Sequence, residues 1–173
     1  SVLKKANLQW YEMEMNEIAE LFTMMNPDKR LFFSSFEAPS FLNQRLIGLN
    51  HKPDFADVEL NHALLNSVFT MFYIEASGFG RGLGVLDINK DSIAKCYMFD
   101  PRAIDISTRN RIVEAFKPLK GRVIMNVSDE LKSSDRNNFE EVVFESYGLL
   151  EYLPAVKKSL LSMQLARETA KLK

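Results

Sequence analysis

Residues 63–101 read ALLNSVFTMFYIEASGFGRGLGVLDINKDSIAKCYMFDP. The first part is apolar with the spacing of a buried helix, and glycines then occupy positions 78, 80, 82 and 84. Val85 to Ile88 is rich in β-formers, which predicts a short strand. A helix, a glycine-rich turn and a strand in this order predict an α+β fold. We expect helices packed on a small, mostly antiparallel sheet, with a helical C-terminal region.

The rest of the chain supplies further elements on both sides of this stretch. Apolar residues from Leu8 to Met25 recur at spacings of three and four, which predicts an amphipathic helix that Asn26 and Pro27 end. One central helix is expected at 58–76, where Asn66 and Ser67 would bond to a neighbouring backbone. Short β-prone runs predict an antiparallel pair at 31–36 and 45–49, and further strands at 95–99 and 122–127.

The C-terminal third carries three helix signals. Ser107 is a candidate cap for a helix that ends at Pro118 and Gly121, and Ser134 or Asp135 caps a second one. Gly148 followed by Leu149 predicts a glycine C-cap. A last helix begins near Tyr152, with its apolar residues inward and its cations, among them Arg167, outward.

Length and composition favour one domain over residues 1–173, made of an N-terminal helix (1–26), a sheet-and-helix recognition module (27–101) and a helical part (102–173). We expect no membrane span, because no run of 18 apolar residues occurs, and no signal peptide. The single cysteine, Cys96, suits the cytoplasm. The chain starts at Ser1 without methionine, so we expect a segment of something longer.

The net charge of −1 argues against a protein that binds nucleic acid through overall charge. The charge is unevenly distributed, however. Residues 102–122 contain six basic and two acidic side chains, a local net of +4, so a phosphate-facing surface is expected there. Its cations are Arg102, Arg109, Arg111, Lys117, Lys120 and Arg122.

The glycine run does not match a nucleotide-binding motif. A dinucleotide fingerprint needs its third glycine where Leu83 or Val85 stands, and no Gly-Lys-Ser/Thr triplet occurs. Gly78, Gly80, Gly82 and Gly84 would instead let another backbone approach closely, either that of DNA or that of the fold itself. Arg81 would then present donors to a phosphate or a guanine; the alternative is a turn with a solvated arginine.

A second candidate for base recognition is Asn43-Gln44-Arg45. The amides suit adenine and the guanidinium suits guanine. On a strand only Asn43 and Arg45 would share a face. The alternative is a turn whose amides are satisfied locally.

Catalytic and metal-binding signals are weak. His51, His62 and Cys96 lack metal-ligand spacing, and no nucleophile motif occurs, so we expect neither catalytic residues nor a metal site. Pro53-Asp54 together with Glu130-Leu131-Lys132 echoes metal-dependent nucleases, in which paired carboxylates bind the metal. A nuclease would need Asp54, Glu130 and Lys132 to converge.

Four segments together carry a resemblance: NQRLIGLN (43–50), HALLNSVFTMFYIEASGFGRGLGVLDINK (62–90), FDP (99–101) and DRNNFEEVVFESYGLL (135–150). Their order resembles the C-terminal, target-recognition part of adenine-specific DNA methyltransferases of bacterial restriction-modification systems. The resemblance implies that this chain binds double-stranded DNA. Base contacts would come from residues 43–45 and 78–84, and phosphate contacts from residues 102–122.

The same resemblance limits the expected activity. The family's catalytic half binds S-adenosylmethionine through a Phe-x-Gly-x-Gly type loop and positions a flipped adenine with Asn-Pro-Pro-Tyr/Phe. Here Asn26-Pro27 continues with Asp28, so this fragment would hold no cofactor and would partner the catalytic half of the same protein. The alternative is an interaction module, in which Met- and Phe-rich helices dock that half or another subunit without touching DNA.

Overall fold

The computed structural model describes residues 18–55, 57–81 and 84–170, with the backbone alone at 79–81. It confirms the α+β class, a small antiparallel sheet and a helical C-terminal region. The strands are β1 Ile18–Met24, β2 Ser34–Phe41, β3 Leu46–Leu49, β4 Phe79–Arg81 and β5 Val85–Asp87. The helices are α1 Val58–Leu65, α2 Val68–Ser77, α3 Lys90–Ala94, α4 Ile106–Lys120, α5 Val127–Glu130, α6 Ser134–Ser146 and α7 Leu153–Thr169, with short 3-10 turns at Pro53–Phe55, Pro101–Ala103 and Leu150–Tyr152.

The expected N-terminal helix is wrong for residues 18–24, which form the central strand β1. Ala19, Leu21 and Thr23 are buried and their neighbours are more exposed, which is the two-residue alternation of a strand. The helical spacing seen in the sequence is accidental over this short run, where periodicity alone does not separate helix from strand. The part of that predicted helix before residue 18 lies outside the described residues.

The two β-prone runs that follow do not pair with each other. The sheet order is β2-β1-β3, so β1 lies between them and is antiparallel to both. The first strand also begins later than expected, at Ser34, because Leu31 and Phe33 are buried in the core ahead of it. Residues 46–49 form the second strand nearly as predicted.

The single helix expected over 58–76 is two helices, α1 and α2, broken at Asn66 and Ser67. Ser67 caps α2 by accepting a hydrogen bond from the Thr70 N–H at 3.4 Å. The Asn66 side chain accepts from the Phe33 N–H at 3.0 Å and donates to the Phe33 carbonyl at 2.9 Å. The expectation that these residues bond to a neighbouring backbone is therefore confirmed, and their bonds tie the helix break to the chain before β2.

The two further strands expected at 95–99 and 122–127 are absent. Residues 90–94 form α3, whose N-cap Asn89 accepts from the Ser92 N–H at 2.8 Å, and residues 96–100 are irregular. Residues 122–126 are also irregular before α5 begins at Val127. The strand after the glycines is confirmed, since β5 pairs with β4 in an antiparallel ribbon, the β4–β5 ribbon.

The C-terminal helices follow the sequence more closely. α4 is capped by Asp105 and not by Ser107, since the Asp105 carboxylate accepts from the Thr108 N–H at 2.7 Å. The glycine C-cap of α6 is confirmed: Gly148 has a φ of +67°. Its N–H bonds to the Glu145 carbonyl, and the Leu149 N–H bonds to the Phe144 carbonyl, as in a Schellman motif.

The apolar residues form two packed clusters. One unites α1, α4 and α6, and its buried members include Leu64, Ile112, Phe139 and Phe144. The other joins the sheet, α2, β5 and α7, and its buried members include Leu21, Ile47, Met71, Ile74, Leu86 and Leu160. Met98 and Leu131 pack against both clusters, so the two are continuous at those positions.

Candidate nucleic-acid interface

The candidate base-reading trio lies on an exposed turn between β2 and β3 and not within a strand. The Asn43 side chain accepts from the Arg45 N–H at 3.0 Å, so its oxygen stabilises the turn itself. Gln44 and Arg45 are exposed, and within the described residues their side chains make no hydrogen bond or ion pair. Two of the three side chains are thus available to a ligand.

Met25, the residue after β1, links this turn to the residue that follows β5. The Met25 N–H donates to the Arg45 carbonyl at 3.0 Å, and the Met25 carbonyl accepts from the Ile88 N–H at 2.9 Å. The Asn26 side chain also donates to Asp87 at 3.1 Å. The turn that follows β1 therefore bonds on one side to the turn at 43–45 and on the other to the end of β5.

At Gly78 the close approach is to the fold itself, and Gly84 has a backbone conformation that favours glycine. A side chain at Gly78 would meet the Leu86 side chain at 2.3 Å, because α2 ends directly against β5. Gly84 has a φ of +70°, which favours glycine. Gly80 lies in β4, where only the backbone is described; Gly82 and the Arg81 side chain lie outside the described residues.

Four cations of the segment 102–122 are exposed. Three of them form surface ion pairs: Arg102 with Asp100 at 2.7 Å, Arg111 with Glu145 at 2.6 Å and Lys117 with Glu114 at 2.5 Å. Lys120 makes no ion pair within the described part of the chain. Because exposed pairs contribute at most about 1 kcal/mol, a phosphate can compete for these side chains.

Arg109 is half-buried and paired with carboxylates of the fold. Its guanidinium binds both carboxylate oxygens of Asp57, at 2.6 and 2.9 Å, and side-chain hydrogen bonding from Arg109 lowers the pKa of Asp57. Asp57 is also the N-cap of α1, since it accepts from the Leu60 N–H at 3.0 Å. This pair fixes α4 against the start of α1, so Arg109 has a structural role that the sequence did not reveal.

Arg122 is occupied even more completely. Its guanidinium donates to Glu130 at 2.7 and 2.8 Å and to Asp135 at 2.6 Å. Hydrogen bonding from Arg122 lowers the pKa of Asp135 to about 2. These contacts connect the irregular stretch after α4 to α5 and α6 by side-chain bonds, where no strand forms.

A buried charge network continues from this point into the core, and sequence reasoning missed it. Arg136 donates to Glu130 at 3.1 Å, to Glu140 at 3.0 Å and to the Asn66 carbonyl at 2.7 Å. Glu140 is fully buried and accepts from the Val68 N–H at the start of α2. Burial raises the pKa of Glu140, and Arg136 opposes that rise. The available signal was the i,i+4 spacing of Arg136 and Glu140 on a helix that packs into the core.

A second buried pair corrects the expected orientation of the last helix. Arg167 points inward, and its guanidinium donates to the Glu75 carboxylate at 2.6 and 3.1 Å. It also donates to the Gly84 carbonyl at 2.6 Å and to the Asp28 carbonyl at 2.9 Å. This arginine therefore ties α7 to α2, to the start of β5 and to the turn after β1.

The residues of the nuclease alternative do not assemble. Glu130 accepts from Arg122, from Arg136 and from the Met125 N–H at 2.9 Å, which leaves its carboxylate without room for a metal ion. Lys132 is 77% exposed and pairs with Asp129. Over the ranges that the structure describes, no three His, Cys, Asp or Glu side chains are grouped to hold a metal.

In the described part of the chain, no helix has the length and apolar character needed to cross a membrane. Comparison of the chain with protein-family models, with curated proteins and with solved structures finds no match.

Proposed function

We propose that this chain is a DNA-binding, target-recognition fragment of an adenine-specific DNA methyltransferase. The observation that carries the proposal is the exposed turn at 43–45, where Gln44 and Arg45 are free to contact bases. The backbone of Met25 bonds both to Arg45 and to Ile88, which follows β5, and this link supports a recognition surface that includes the turn and the β4–β5 ribbon. The resemblance of four ordered segments to the family supports the same function.

Phosphate contacts in this proposal come from the exposed cations Arg102, Arg111, Lys117 and Lys120. Arg109 and Arg122 contribute to the fold instead, because carboxylates of the chain occupy their guanidinium groups. The number of phosphate contacts is therefore smaller than the six cations suggested. With a net charge of −1, we expect modest affinity and a shallow salt dependence.

The parent protein of this proposal carries the catalysis. Its catalytic half would bind S-adenosylmethionine and the extruded adenine, while this fragment would contact the double-stranded DNA around it. Both would work in the cytoplasm, where the bacterial genome is available. The fragment itself contributes binding and orientation and no reacting group.

Fluorescence anisotropy with a pool of labelled random duplexes tests the proposal. The chain should bind at about 50 mM salt, and log K should fall linearly with log salt. Gln44→Ala with Arg45→Ala should weaken binding at every salt concentration, and Lys120→Ala should reduce the salt slope by about 1. Lys132→Ala is the matched control, because it removes an exposed cation outside the proposed surface.

Two results would reject DNA binding by this surface. One is the absence of binding at low salt by a folded chain. The other is an equal loss of affinity from Lys132→Ala and from Lys120→Ala. That result would indicate that the chain binds DNA through its overall charge and not through a defined surface.

A second candidate function is docking of a protein partner, here the catalytic half of the parent. It is favoured by the internal neutralisation of the basic segment and by Leu161 and Leu165, which lie one turn apart on the outer face of α7. Leu165, at 63% exposed, is the better probe. Leu165→Glu should abolish co-sedimentation with the catalytic half and leave duplex binding unchanged. Full co-sedimentation of this variant would exclude α7 as the docking surface.

A further inference from the structure

A cleft of about 460 Å³ opens between the sheet and α1, away from the turn at 43–45. Its walls are mainly apolar and include Leu21, Leu49, Val58, Leu65 and Met98. A cleft of this size with few polar groups has the usual form of a small-molecule site. Neither proposed function uses it.

Aromatic rings contribute flat surfaces to the cleft. Phe55, Tyr97 and Phe99 all line it. Phe99 is itself stacked on Tyr147 with a centroid distance of 4.4 Å, and this contact fixes the orientation of the Phe99 ring. Flat rings favour a planar ligand, because offset stacking and edge-to-face contacts add to the burial of apolar area.

One polar feature at the mouth of the cleft is pre-organised. The His51 ring nitrogen Nδ1 lies 2.6 Å from Glu20 Oε2, and the His51 backbone N–H donates to the same oxygen at 3.2 Å. Asn50 secures this arrangement by accepting from the Glu20 N–H at 3.1 Å and donating to the Ile18 carbonyl at 2.8 Å. The carboxylate and the imidazole are therefore held in one geometry.

The Glu20 carboxylate determines what the imidazole offers. In neutral His51 the proton sits on Nδ1, where the carboxylate accepts it, and Nε2 becomes a hydrogen-bond acceptor. Within the described residues Nε2 has no hydrogen-bond partner. A ligand with an N–H or O–H group can therefore bond to it.

The charges around the cleft favour a neutral ligand. The Glu20 oxygen that faces His51 already accepts two N–H donors from that residue, and Asp100 is offset by its ion pair with Arg102. Burial raises the pKa of the Cys96 thiol to about 11, so this wall of the cleft is uncharged. Lys52 is exposed at the rim, where water solvates its ammonium group.

We propose that this cleft binds a neutral aromatic compound of one or two rings that donates one N–H or O–H hydrogen bond to His51 Nε2. The rings lie against the aromatic and aliphatic walls, and Glu20 acts as the positioning residue for the imidazole. Arg102, a proposed phosphate contact, borders this cleft, because its guanidinium lies over the Phe55 ring and pairs with Asp100. Binding of a small molecule is measured without DNA, so its failure is distinguishable from failure of the proposed function.

Indole and 1-methylindole are the probes, because they share a ring system and differ in the N–H donor. Titration of the isotopically labelled 173-residue chain with each compound, followed by amide chemical shifts, should show saturable changes confined to the cleft residues. Indole should bind about five- to tenfold more tightly, which corresponds to one net hydrogen bond. His51→Phe should remove this preference.

His51→Gln keeps the test decisive if the phenylalanine variant does not fold. The glutamine amide oxygen can replace Nε2 as an acceptor, so this variant should retain a preference for indole. Equal affinity of the unsubstituted chain for the two probes would overturn the proposal, as would shift changes outside the cleft or a lack of saturation by indole. Loss of the preference in a folded His51→Phe variant, with retention in His51→Gln, is the result that supports it.

Discussion

Replacement of Arg167 by methionine should be among the most destabilising single changes in this chain. Its side chain is 8% exposed and that of its partner Glu75 is 2% exposed. The substitution removes two bonds to this carboxylate and one each to the carbonyls of Gly84 and Asp28. It leaves the Glu75 charge buried without a cation.

The size of the effect follows from that unpaired charge. Removing one partner of a buried ion pair costs about 3–5 kcal/mol. For a chain of this length each kcal/mol lowers Tm by about 2–4 °C, so a fall of roughly 6–20 °C is expected. Urea unfolding monitored by far-UV circular dichroism measures the free energy directly, and the slope m checks that unfolding stays two-state.

Arg111→Met is the matched control. The Arg111–Glu145 pair has the same 2.6 Å separation as the Arg167–Glu75 pair, but its side chains are 53% and 59% exposed. Its removal should cost no more than about 1 kcal/mol. Glu75→Met combined with Arg167→Met should recover much of the lost stability, since an apolar pair replaces the buried charges. If the two single arginine variants differ by less than about 1 kcal/mol, burial does not determine the strength of these pairs.

Two further predictions concern stability. Gly148→Ala should lower the free energy of unfolding in urea by about 1–2 kcal/mol, because φ is +67° at this position. Gly121→Ala should be neutral or stabilising, because φ is −89° there and the added Cβ would lie 3.6 Å from the Lys117 carbonyl oxygen. Equal effects of the two substitutions would contradict the backbone argument. Burial lowers the pKa of His62, whose Nε2–H donates to the Phe33 carbonyl, so the unfolded chain binds the extra proton. The free energy of unfolding should therefore fall as the pH drops through 6.5. His62→Gln should flatten the slope of this free energy against pH between pH 7.5 and 5.5. An unchanged slope would show that His62 is not the group responsible.

The basic segment shows why local charge does not by itself indicate a binding surface. Arg109 meets a carboxylate 52 residues away, and Arg122 meets two that lie 8 and 13 residues further along the chain. Each pairing satisfies a guanidinium that would otherwise be available to phosphate. Three of the exposed cations that remain have pairs that lie in water, where exchange of partners costs little, and Lys120 makes no ion pair within the described residues.

Local chemistry in the sequence was sufficient for the α+β class, for the strand after the glycines and for the C-cap at Gly148. These features depend on a few neighbouring residues, such as a glycine that can adopt a positive φ or a short run of β-formers. The turn at Gln44 and Arg45 was only the alternative to a strand in the sequence, and the structure selects that alternative.

Only the tertiary structure decided the rest. Residues 18–24 form a strand because two other strands pair with them, and nothing in their own spacing distinguishes that from a helix. The inward orientation of Arg167 depends on a glutamate 92 residues earlier in the chain. Pairing across such distances is set by how the elements pack. The sequence by itself determined which local structures this chain can form. The packing determined which charged side chains are paired within the fold and which stayed free to bind a partner.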